Sequence, residues 1–393
     1  MVDYASNSRV AGRARRREAA DVASFVRRLD WVLIGSVGAI VGYGLWAIAG
    51  ITEHDVPGNP DYYLTRQIVF VCVGAVGMLL ALLVDPDLYR TRWRWVFGGT
   101  TFVIAIVFLT GPIRGSKRWL DLGFFRFQPS EFGKVLFVLA LAGFLAERAR
   151  RLNEPRTTLS AIGLVSIPIV LVFLQPDFGT ALVYCAAVAA VFFVAGTPWR
   201  HLGPLGGGGL ALAVLVLGVL PGLGLPVLKD YQQKRITGFL NPDIDPGGTT
   251  YNLTQSKNAI GAGQWDGRGV DNATQTTLNF LPEHHTDFVF ASLAEQRGFA
   301  GAAILLMLYL LVVWRGFRIV AIAQDPFSAI VAGGLVFAML FQIFVNVGMT
   351  MGIAPITGIP LPFVSVGGSS MIAHLVAVGL LLAIQVRARG ARR

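Results

Sequence analysis

Ten apolar stretches, each near the length that crosses a lipid bilayer, constrain this sequence more than any other feature. A transmembrane helix needs about 20 consecutive, mostly apolar residues. Hydrophobic residues make up 54% of the 393-residue chain and charged residues only 14%, whereas a soluble domain is about 25% charged. We therefore predict an all-α polytopic membrane protein with about ten transmembrane helices. The stretches lie near residues 31–52, 66–84, 94–112, 130–147, 157–175, 178–197, 203–228, 287–314, 327–350 and 370–387.

Arginine in the short loops indicates the orientation of these spans. The loops after spans two, four, six and eight contain, among others, Arg90, Arg148, Arg200 and Arg315. The alternate loops contain neither Lys nor Arg, and they are residues 53–63, 176–177 and 351–369. Because cytoplasmic loops are enriched in these two residues, we predict that both termini lie in the cytoplasm.

Much of the positive charge behind the net value of +10 lies at the two ends of the chain. Basic segments beside membrane spans are typical of contact with anionic lipid, and no nucleic-acid-binding motif accompanies them. We therefore expect membrane lipids as partners and no nucleic acid. The predicted organisation is a basic cytoplasmic tail (1–30), one membrane domain (31–387) and a second basic cytoplasmic tail (388–393). A large outer loop (229–286) lies between spans seven and eight.

Two loops predicted on the outer side do carry basic residues. Residues 112–129 and 229–286 are also rich in Gly, Asn, Gln and Pro, which favours irregular, partly buried structure. Long loops tolerate charge, so the basic residues need no functional explanation. The alternative is that an anionic ligand binds them outside the membrane.

The link 352–370 is rich in Pro and Gly, and we predict that it folds back toward the membrane. Irregular backbone is stable there only where protein covers it or where it lines a cavity.

Several charged residues lie at or within the predicted spans, where charge usually serves a function. Glu131 and Lys134 are three residues apart and so share a helix face, either as a self-contained ion pair or as a pair that faces a polar cavity. Asp177 opens span six, where an acid also stabilises the helix dipole. In span eight, Gly298 follows a charged segment and allows a break in the helix.

The stretch 278–301 collects titratable residues beside span eight. They are Glu283, His284, His285, Asp287, Glu295 and Arg297. Asp287 stands at the predicted outer start of the span, where its carboxylate can take a proton from a sugar hydroxyl as a general base. An acid at a helix N-terminus also has a purely structural explanation. Spacing alone leaves both interpretations open.

Five motifs in this sequence resemble the signature of the SEDS family of membrane peptidoglycan polymerases. They occur in the family's order: KRWLDLG (117–123), QPSEFGK (128–134), QPDFGTAL (175–182), FLPEHHTDFVFASLAEQRGFAG (280–301) and NVGMTMGIAPITGIPLPFVSVGGSS (346–370). Two loop segments, 241–263 and 274–283, look like the elongation member, RodA, more than the division member, FtsW. Val366 stands where the family usually has Tyr, and Ala273 stands where Gly is common, so these positions bear on local packing and subfamily.

The resemblance implies a glycosyltransferase that polymerises lipid II into glycan strands at the outer face of the bacterial cytoplasmic membrane, for elongation and rod shape. It places the family's essential acid at Asp287. It also implies a class B penicillin-binding protein as partner, beside lipid II and the undecaprenyl-diphosphate-linked glycan. The expected substrate-binding residues are the membrane pair Glu131 and Lys134, the basic loop residues Lys117 and Arg118, and Asp177, Glu283, His285 and Ser369.

In the expected mechanism Asp287 is the general base for the 4-hydroxyl of the acceptor sugar, and outer cations stabilise the leaving diphosphate. A divalent cation, Mg or Mn, is a candidate to share that second role, but the sequence shows no recognisable ligand cluster and we predict no metal-binding residues. The alternatives are a lipid II flippase, which needs polar groups along a route open to both faces, and a scaffold for the penicillin-binding protein. The polar residues cluster on the outer side, which favours the enzyme.

Overall fold

The computed structural model describes residues 24–111, 117–121, 123, 125–222, 238–239 and 249–390. Thirteen labelled helices form nearly all the regular structure of these residues. They are α1 Trp31–Ile51, α2 Tyr62–Leu83, α3 Pro86–Thr91, α4 Trp93–Ile106, α5 Pro129–Glu147, α6 Pro155–Leu174, α7 Phe178–Val194, α8 Trp199–Val214, α9 Thr249–Gly263, α10 Thr274–Thr277, α11 Val289–Ile322, α12 Pro326–Met351 and α13 Gly368–Gly390. The helical fold class predicted from the sequence is confirmed.

The helices account for every predicted span. Seven of them are long and apolar enough to cross a membrane, namely α1, α2, α5, α6, α11, α12 and α13, and α4 and α7 are shorter apolar helices. The remaining predicted span, the seventh in chain order, corresponds to α8. This helix continues through a π-helical turn at Leu215–Val219 to Leu220–Gly222. The predicted end of that span, 223–228, and most of the two basic tails lie outside the described residues. The chain is therefore a multi-pass membrane protein.

Helices α5, α12 and α13 form the centre of the bundle. In their most apolar 18-residue windows 83%, 72% and 83% of the residues are buried within the protein, against 22% in α2. Helices α12 and α5 approach closely because Gly334 has no side chain: a Cβ there would lie 2.6 Å from Cγ1 of Val138. Small residues at helix contacts are common in membrane proteins, since close backbone approach replaces the hydrophobic effect as the source of stability.

The two loops predicted to lie outside contain more regular structure than the sequence predicted. In the loop before α11, the 15-residue helix α9 packs over the ends of α11 and α12, and the Ser256 hydroxyl donates to the Thr350 carbonyl at 2.8 Å. The other outer loop forms a two-stranded antiparallel hairpin, β1 Leu120–Asp121 and β2 Arg126–Phe127. The prediction of irregular structure is wrong at these segments. Tertiary contacts stabilise a helix and two strands there, although the local sequence is polar and rich in glycine.

Helix α11 breaks at Gly298, a position where the sequence allowed a break. The backbone there has φ 66° and ψ −168°, and a Cβ would lie 2.4 Å from the Trp265 carbonyl oxygen. Residues 289–297 therefore form a separate helical segment before the break, and a longer apolar segment follows it. Glu295 in that segment accepts hydrogen bonds from the backbone amides of Gln275 and Thr276, at 2.9 and 3.0 Å. This carboxylate satisfies the first turn of α10, which is a structural role.

The link between α12 and α13 enters the helix bundle, as predicted. It has no helix between residues 352 and 367, and most of residues 354–365 are buried. The Tyr309 hydroxyl, deep in α11, donates to the Pro362 carbonyl. A Cβ at Gly44 of α1 would lie 3.1 Å from the Phe363 carbonyl oxygen. Irregular backbone at this depth is stable because neighbouring helices cover it and satisfy its polar groups.

Candidate functional site

Asp287 lies in the turn 282–288 that leads into α11, and its side chain is partly buried. The helix starts at Val289 with Phe288 at the N-cap position, and its first turn contains no acidic residue. Asp287 therefore stands one residue before the N-cap, outside the helix itself. We call residues 282–288 the acid turn.

Three successive carbonyls of the acid turn are bonded to the link and to α12. The His285 carbonyl accepts from the Val366 amide at 3.0 Å, and the Thr286 carbonyl accepts from the Ser365 hydroxyl at 2.6 Å. The Asp287 carbonyl accepts from Asn346 Nδ2 at 2.9 Å. Val366 contributes here through its backbone, which any non-proline residue supplies, so its departure from the family pattern does not remove this contact.

Glu131 and Lys134 form a buried ion pair of 2.8 Å in the first turns of α5. The Lys134 ammonium also donates to Gln342 Oε1 at 3.1 Å, and the same oxygen lies 3.2 Å from His374 Nε2. Gln342 donates in turn to the Pro360 carbonyl at 3.3 Å. The pair is therefore part of a network that joins α5, α12, α13 and the link, beside a cavity of about 20 Å³. The pair is therefore internally satisfied, and the small cavity beside it is lined by apolar residues as well as by this network.

Helix α12 connects this network with the acid turn. Gln342 contacts Lys134, and Asn346, four residues later, contacts the Asp287 carbonyl. Residues four apart lie on one face of a helix, about 6 Å from each other along the axis. The acid turn and the buried ion pair are thus held by neighbouring side chains of one helix face.

A second group of polar residues surrounds the start of α5. Asp177 accepts from the Thr180 amide at 3.2 Å as the N-cap of α7, and its other oxygen accepts from Gln128 Nε2 at 2.9 Å. The backbone amide of Gln128 donates to the Ser369 hydroxyl at 2.8 Å. The Arg118 guanidinium lies 4.0 Å from the Asp177 carboxylate. Asp177 is therefore a helix cap that also binds neighbouring groups.

Lys117 and Arg118 lie beside the outer hairpin. Lys117 is exposed, and its ammonium donates to the Phe108 carbonyl at 3.4 Å. Arg118 is about one-third exposed in its side chain. Both cations are accessible to a ligand at the protein surface. Two further basic residues that contribute to the predicted charge of these loops, Arg114 and Lys229, lie outside the described residues.

The acid turn also contacts the loop between α1 and α2, through a residue that sequence reasoning did not single out. His284 Nε2 lies 2.9 and 3.1 Å from the two carboxylate oxygens of Asp55, and His285 Nδ1 lies 3.4 Å from one of them. The His285 ring packs on Tyr63 with its centroid 4.5 Å away. Glu283 accepts from the Thr286 hydroxyl at 2.9 Å. These residues border a cavity of about 360 Å³ that opens to the surface.

Sequence reasoning missed Asp55, Gln128, Gln342, Asn346 and His374 as members of the site. A usable signal existed for Gln342 and Asn346, because polar side chains within an otherwise uncharged apolar span are expensive unless they bind a partner. Asp55 carried no such signal, since it lies in a polar loop 229 residues from His284.

Comparisons with known proteins agree with the resemblance seen in the sequence. The FTSW_RODA_SPOVE family, described as "Cell cycle protein", matches residues 27–390. The peptidoglycan glycosyltransferase MrdB of Escherichia coli K12 is 39% identical over 324 residues, which cover 82% of this chain and 85% of that protein.

Two solved structures share the fold. A chain from a structure described as "Structural coordination of polymerization and crosslinking by a peptidoglycan synthase complex" superposes with a TM-score of 0.76 at 32% identity, covering 92% of this chain and 98% of the other. The rod shape determining protein RodA of Thermus thermophilus superposes with a TM-score of 0.65 at 30% identity, covering 91% of this chain and 96% of the other.

Proposed function

This chain belongs to the FTSW_RODA_SPOVE family of cell cycle proteins, and from that premise we propose that it polymerises lipid II with Asp287 as the general base. It is a membrane-embedded peptidoglycan glycosyltransferase, in agreement with its 39% identity to MrdB. The substrate, the orientation and the residue roles are the content of the proposal. Polymerisation takes place at the outer face of the cytoplasmic membrane, with both termini inside.

The observation that carries the proposal is the support of the acid turn. The carbonyls of residues 285, 286 and 287 each accept a hydrogen bond from a buried part of the protein. A catalytic base must be held within a fraction of an ångström of its working position. Hydrogen bonds to the backbone around the base supply that precision. A carboxylate that only capped a helix would not need a turn held at three successive residues.

In the proposed step Asp287 accepts the proton of the 4-hydroxyl of the acceptor sugar. The hydroxyl oxygen attacks the anomeric carbon of the donor chain, forms the new glycosidic bond, and the bond from that carbon to undecaprenyl diphosphate breaks. Negative charge develops on the leaving diphosphate. Lys117 and Arg118 stabilise that charge from the outer surface, and Lys134 does so from the buried network. A divalent cation, Mg or Mn, bound to the diphosphate oxygens would share this role.

The remaining candidate residues position substrate in this proposal. Asp177 and Ser369 shape the region next to Arg118 through Gln128. Glu283 and His285, in the same turn as Asp287, border the open cavity. Glu131 holds the Lys134 ammonium in place, since a lone buried ammonium would be unstable.

The partner in this proposal is a class B penicillin-binding protein that cross-links the strands as they form. The solved complex that shares the fold concerns polymerisation and crosslinking by a peptidoglycan synthase complex, which supports a partner of this kind. The likeness to a rod shape determining protein supports a role in elongation. The family name itself covers both FtsW and RodA proteins, so rescue of rod shape in cells that lack their elongation polymerase tests this role.

The decisive experiment is polymerisation of fluorescent lipid II by the purified protein, with and without a cognate class B penicillin-binding protein. Asp287→Asn keeps the size of the side chain and removes the base, and it should slow polymerisation by about 10²–10⁴-fold. Asp61→Asn is the matched control, because Asp61 is an exposed acid whose side chain makes no capping hydrogen bond. Wild-type activity in Asp287→Asn would refute the base assignment. No glycan from the wild-type protein with its partner would favour the flippase or scaffold alternatives.

A further inference from the structure

We propose that Asp55, His284 and His285 bind a divalent transition-metal cation, Zn²⁺ or Mn²⁺, which joins the acid turn to the loop between α1 and α2. The proposal does not depend on the polymerase activity, because the three residues are argued from their own geometry. One ligand atom from each residue lies within 4.8 Å of the other two.

The spacing of the donor atoms suits such an ion. Metal–ligand distances of 2.0–2.2 Å in a tetrahedral zinc site place the ligand atoms about 3.4 Å apart. His284 Nε2 lies 2.9 and 3.1 Å from the Asp55 oxygens, and His285 Nδ1 lies 3.4 Å from Asp55 Oδ2. The separations of both histidine nitrogens from Asp55 are thus close to that value, and the three ligand atoms all lie within 4.8 Å of one another. The adjoining cavity leaves room for a fourth ligand from solvent.

The two ring nitrogens of His284 face different partners: Nδ1 faces the Leu281 carbonyl and Nε2 faces the Asp55 carboxylate. The Nδ1 atom lies 3.1 Å from the Leu281 carbonyl oxygen, which can only accept, so Nδ1 carries a proton. In a neutral imidazole Nε2 then has a lone pair and no proton. That lone pair would point at the Asp55 carboxylate, which also offers only lone pairs. Either a proton or a metal ion must therefore lie between them.

A metal ion satisfies more of this arrangement than a proton does. A proton on Nε2 bonds to Asp55 alone, whereas a cation also binds His285 Nδ1 on the same carboxylate. The Leu281 carbonyl holds the outer nitrogen of His284, which is the usual second contact of a metal-bound histidine, because it sets the tautomer and the ring orientation. His284 and Asp55 have only 5% and 9% of their side chains exposed, so these two ligands are held in place by surrounding protein while the site opens to the adjoining cavity.

The donor set selects the class of metal. Two imidazole nitrogens and one carboxylate oxygen suit Zn²⁺, Mn²⁺ and related ions. Mg²⁺ and Ca²⁺ prefer sites built from oxygen. This site is therefore distinct from a magnesium ion held by substrate diphosphate, and it should bind metal in the absence of lipid II.

The test is calorimetric titration of Zn²⁺ and Mn²⁺ into chelator-treated, full-length protein in detergent, purified without a histidine tag. The wild-type protein should bind one equivalent of Zn²⁺, bind Mg²⁺ at least tenfold more weakly, and show an increase in Tm on Zn²⁺ addition. Cobalt substitution should give the visible absorption bands of a site with nitrogen ligands. His54→Ala is the matched control, since His54 adjoins Asp55 but is exposed, and it should bind as the wild type does.

Two variants separate metal binding from folding. His285→Gln leaves the His284–Asp55 contact intact, and Asp55→Asn removes the shared carboxylate. Both should lower Zn²⁺ affinity at least tenfold and abolish the Zn²⁺-dependent increase in Tm. If Asp55→Asn fails to fold, His285→Gln alone decides the result. The proposal is overturned if the wild type binds no Zn²⁺ beyond the level of His285→Gln, because a proton on His284 then satisfies the cluster.

Discussion

Asn346 donates one hydrogen bond of 2.9 Å to the carbonyl of Asp287 and another of 2.7 Å, through the same nitrogen, to the carbonyl of Ile359. This fully buried amide joins the acid turn to the link between α12 and α13. It lies one helical turn from Gln342, which contacts the buried ion pair. The position of the proposed base therefore depends on Asn346. This residue is 59 residues away along the chain, so the sequence did not associate it with Asp287.

Replacement of Asn346 by Ala should lower the polymerisation rate about 10–100-fold, because the acid turn loses its contact with α12. Two carbonyls would lose a partner, at a cost of about 1–3 kcal/mol each where they stay buried. The measurement is the lipid II polymerisation rate together with the Tm. Asn153→Ala, at an exposed loop position, is the control. A variant with lowered Tm but a wild-type rate would show that Asn346 serves stability alone.

Variants of the Glu131–Lys134 pair should show whether it contributes to stability alone or also to polymerisation activity. Glu131→Gln or Lys134→Met leaves one buried charge without its partner and should cost about 3–5 kcal/mol in the free energy of unfolding. The double variant removes both charges and should recover most of that loss. We expect polymerisation to remain low in the double variant, since no cation is left near the cavity. Recovery of both Tm and activity would show that the pair is only structural.

Lys117 and Arg118 should act on substrate binding rather than on folding. Lys117→Gln and Arg118→Gln should each raise the KM for lipid II by about tenfold at low salt, the effect of one lost charge-assisted hydrogen bond. The dependence of KM on ionic strength should weaken as well, because salt screens exposed charge. Arg150→Gln, exposed at the end of the loop predicted to be cytoplasmic, should leave both quantities unchanged. A similar effect from Arg150→Gln would point to general surface charge instead.

Gly298→Ala should prevent correct folding. Its φ of 66° with ψ of −168° is a conformation open almost only to glycine, and a Cβ would meet backbone atoms at 2.4 Å. We expect a loss of more than about 3 kcal/mol, above the usual cost of conformational strain alone. Gly206→Ala is the control, because a Cβ there meets nothing within 4 Å and Ala favours a helix by about 1 kcal/mol. Monodisperse elution and Tm in detergent check both variants.

Secondary structure in the membrane was accessible from sequence because lipid offers no hydrogen bonds to the backbone, so a long apolar run must be helical. The break at Gly298 was accessible for a similar local reason, since glycine next to charged residues allows a non-helical backbone. Helix α9 was not. Its sequence is polar and contains two of the loop's glycines, and its contacts with α11 and α12 stabilise it as a helix.

By itself the sequence determined the spans and the pair Glu131–Lys134, because each depends on residue type and on spacing within one helix. It also supplied the candidate acid Asp287, through the motif 280–301 that resembles the family signature. Only the tertiary structure decided that Asn346 holds the acid turn and that Asp55 meets His284 and His285. These contacts join segments 59 and 229 residues apart. No local pattern encodes such a meeting, because it depends on how the helices pack and on which buried polar groups must find partners.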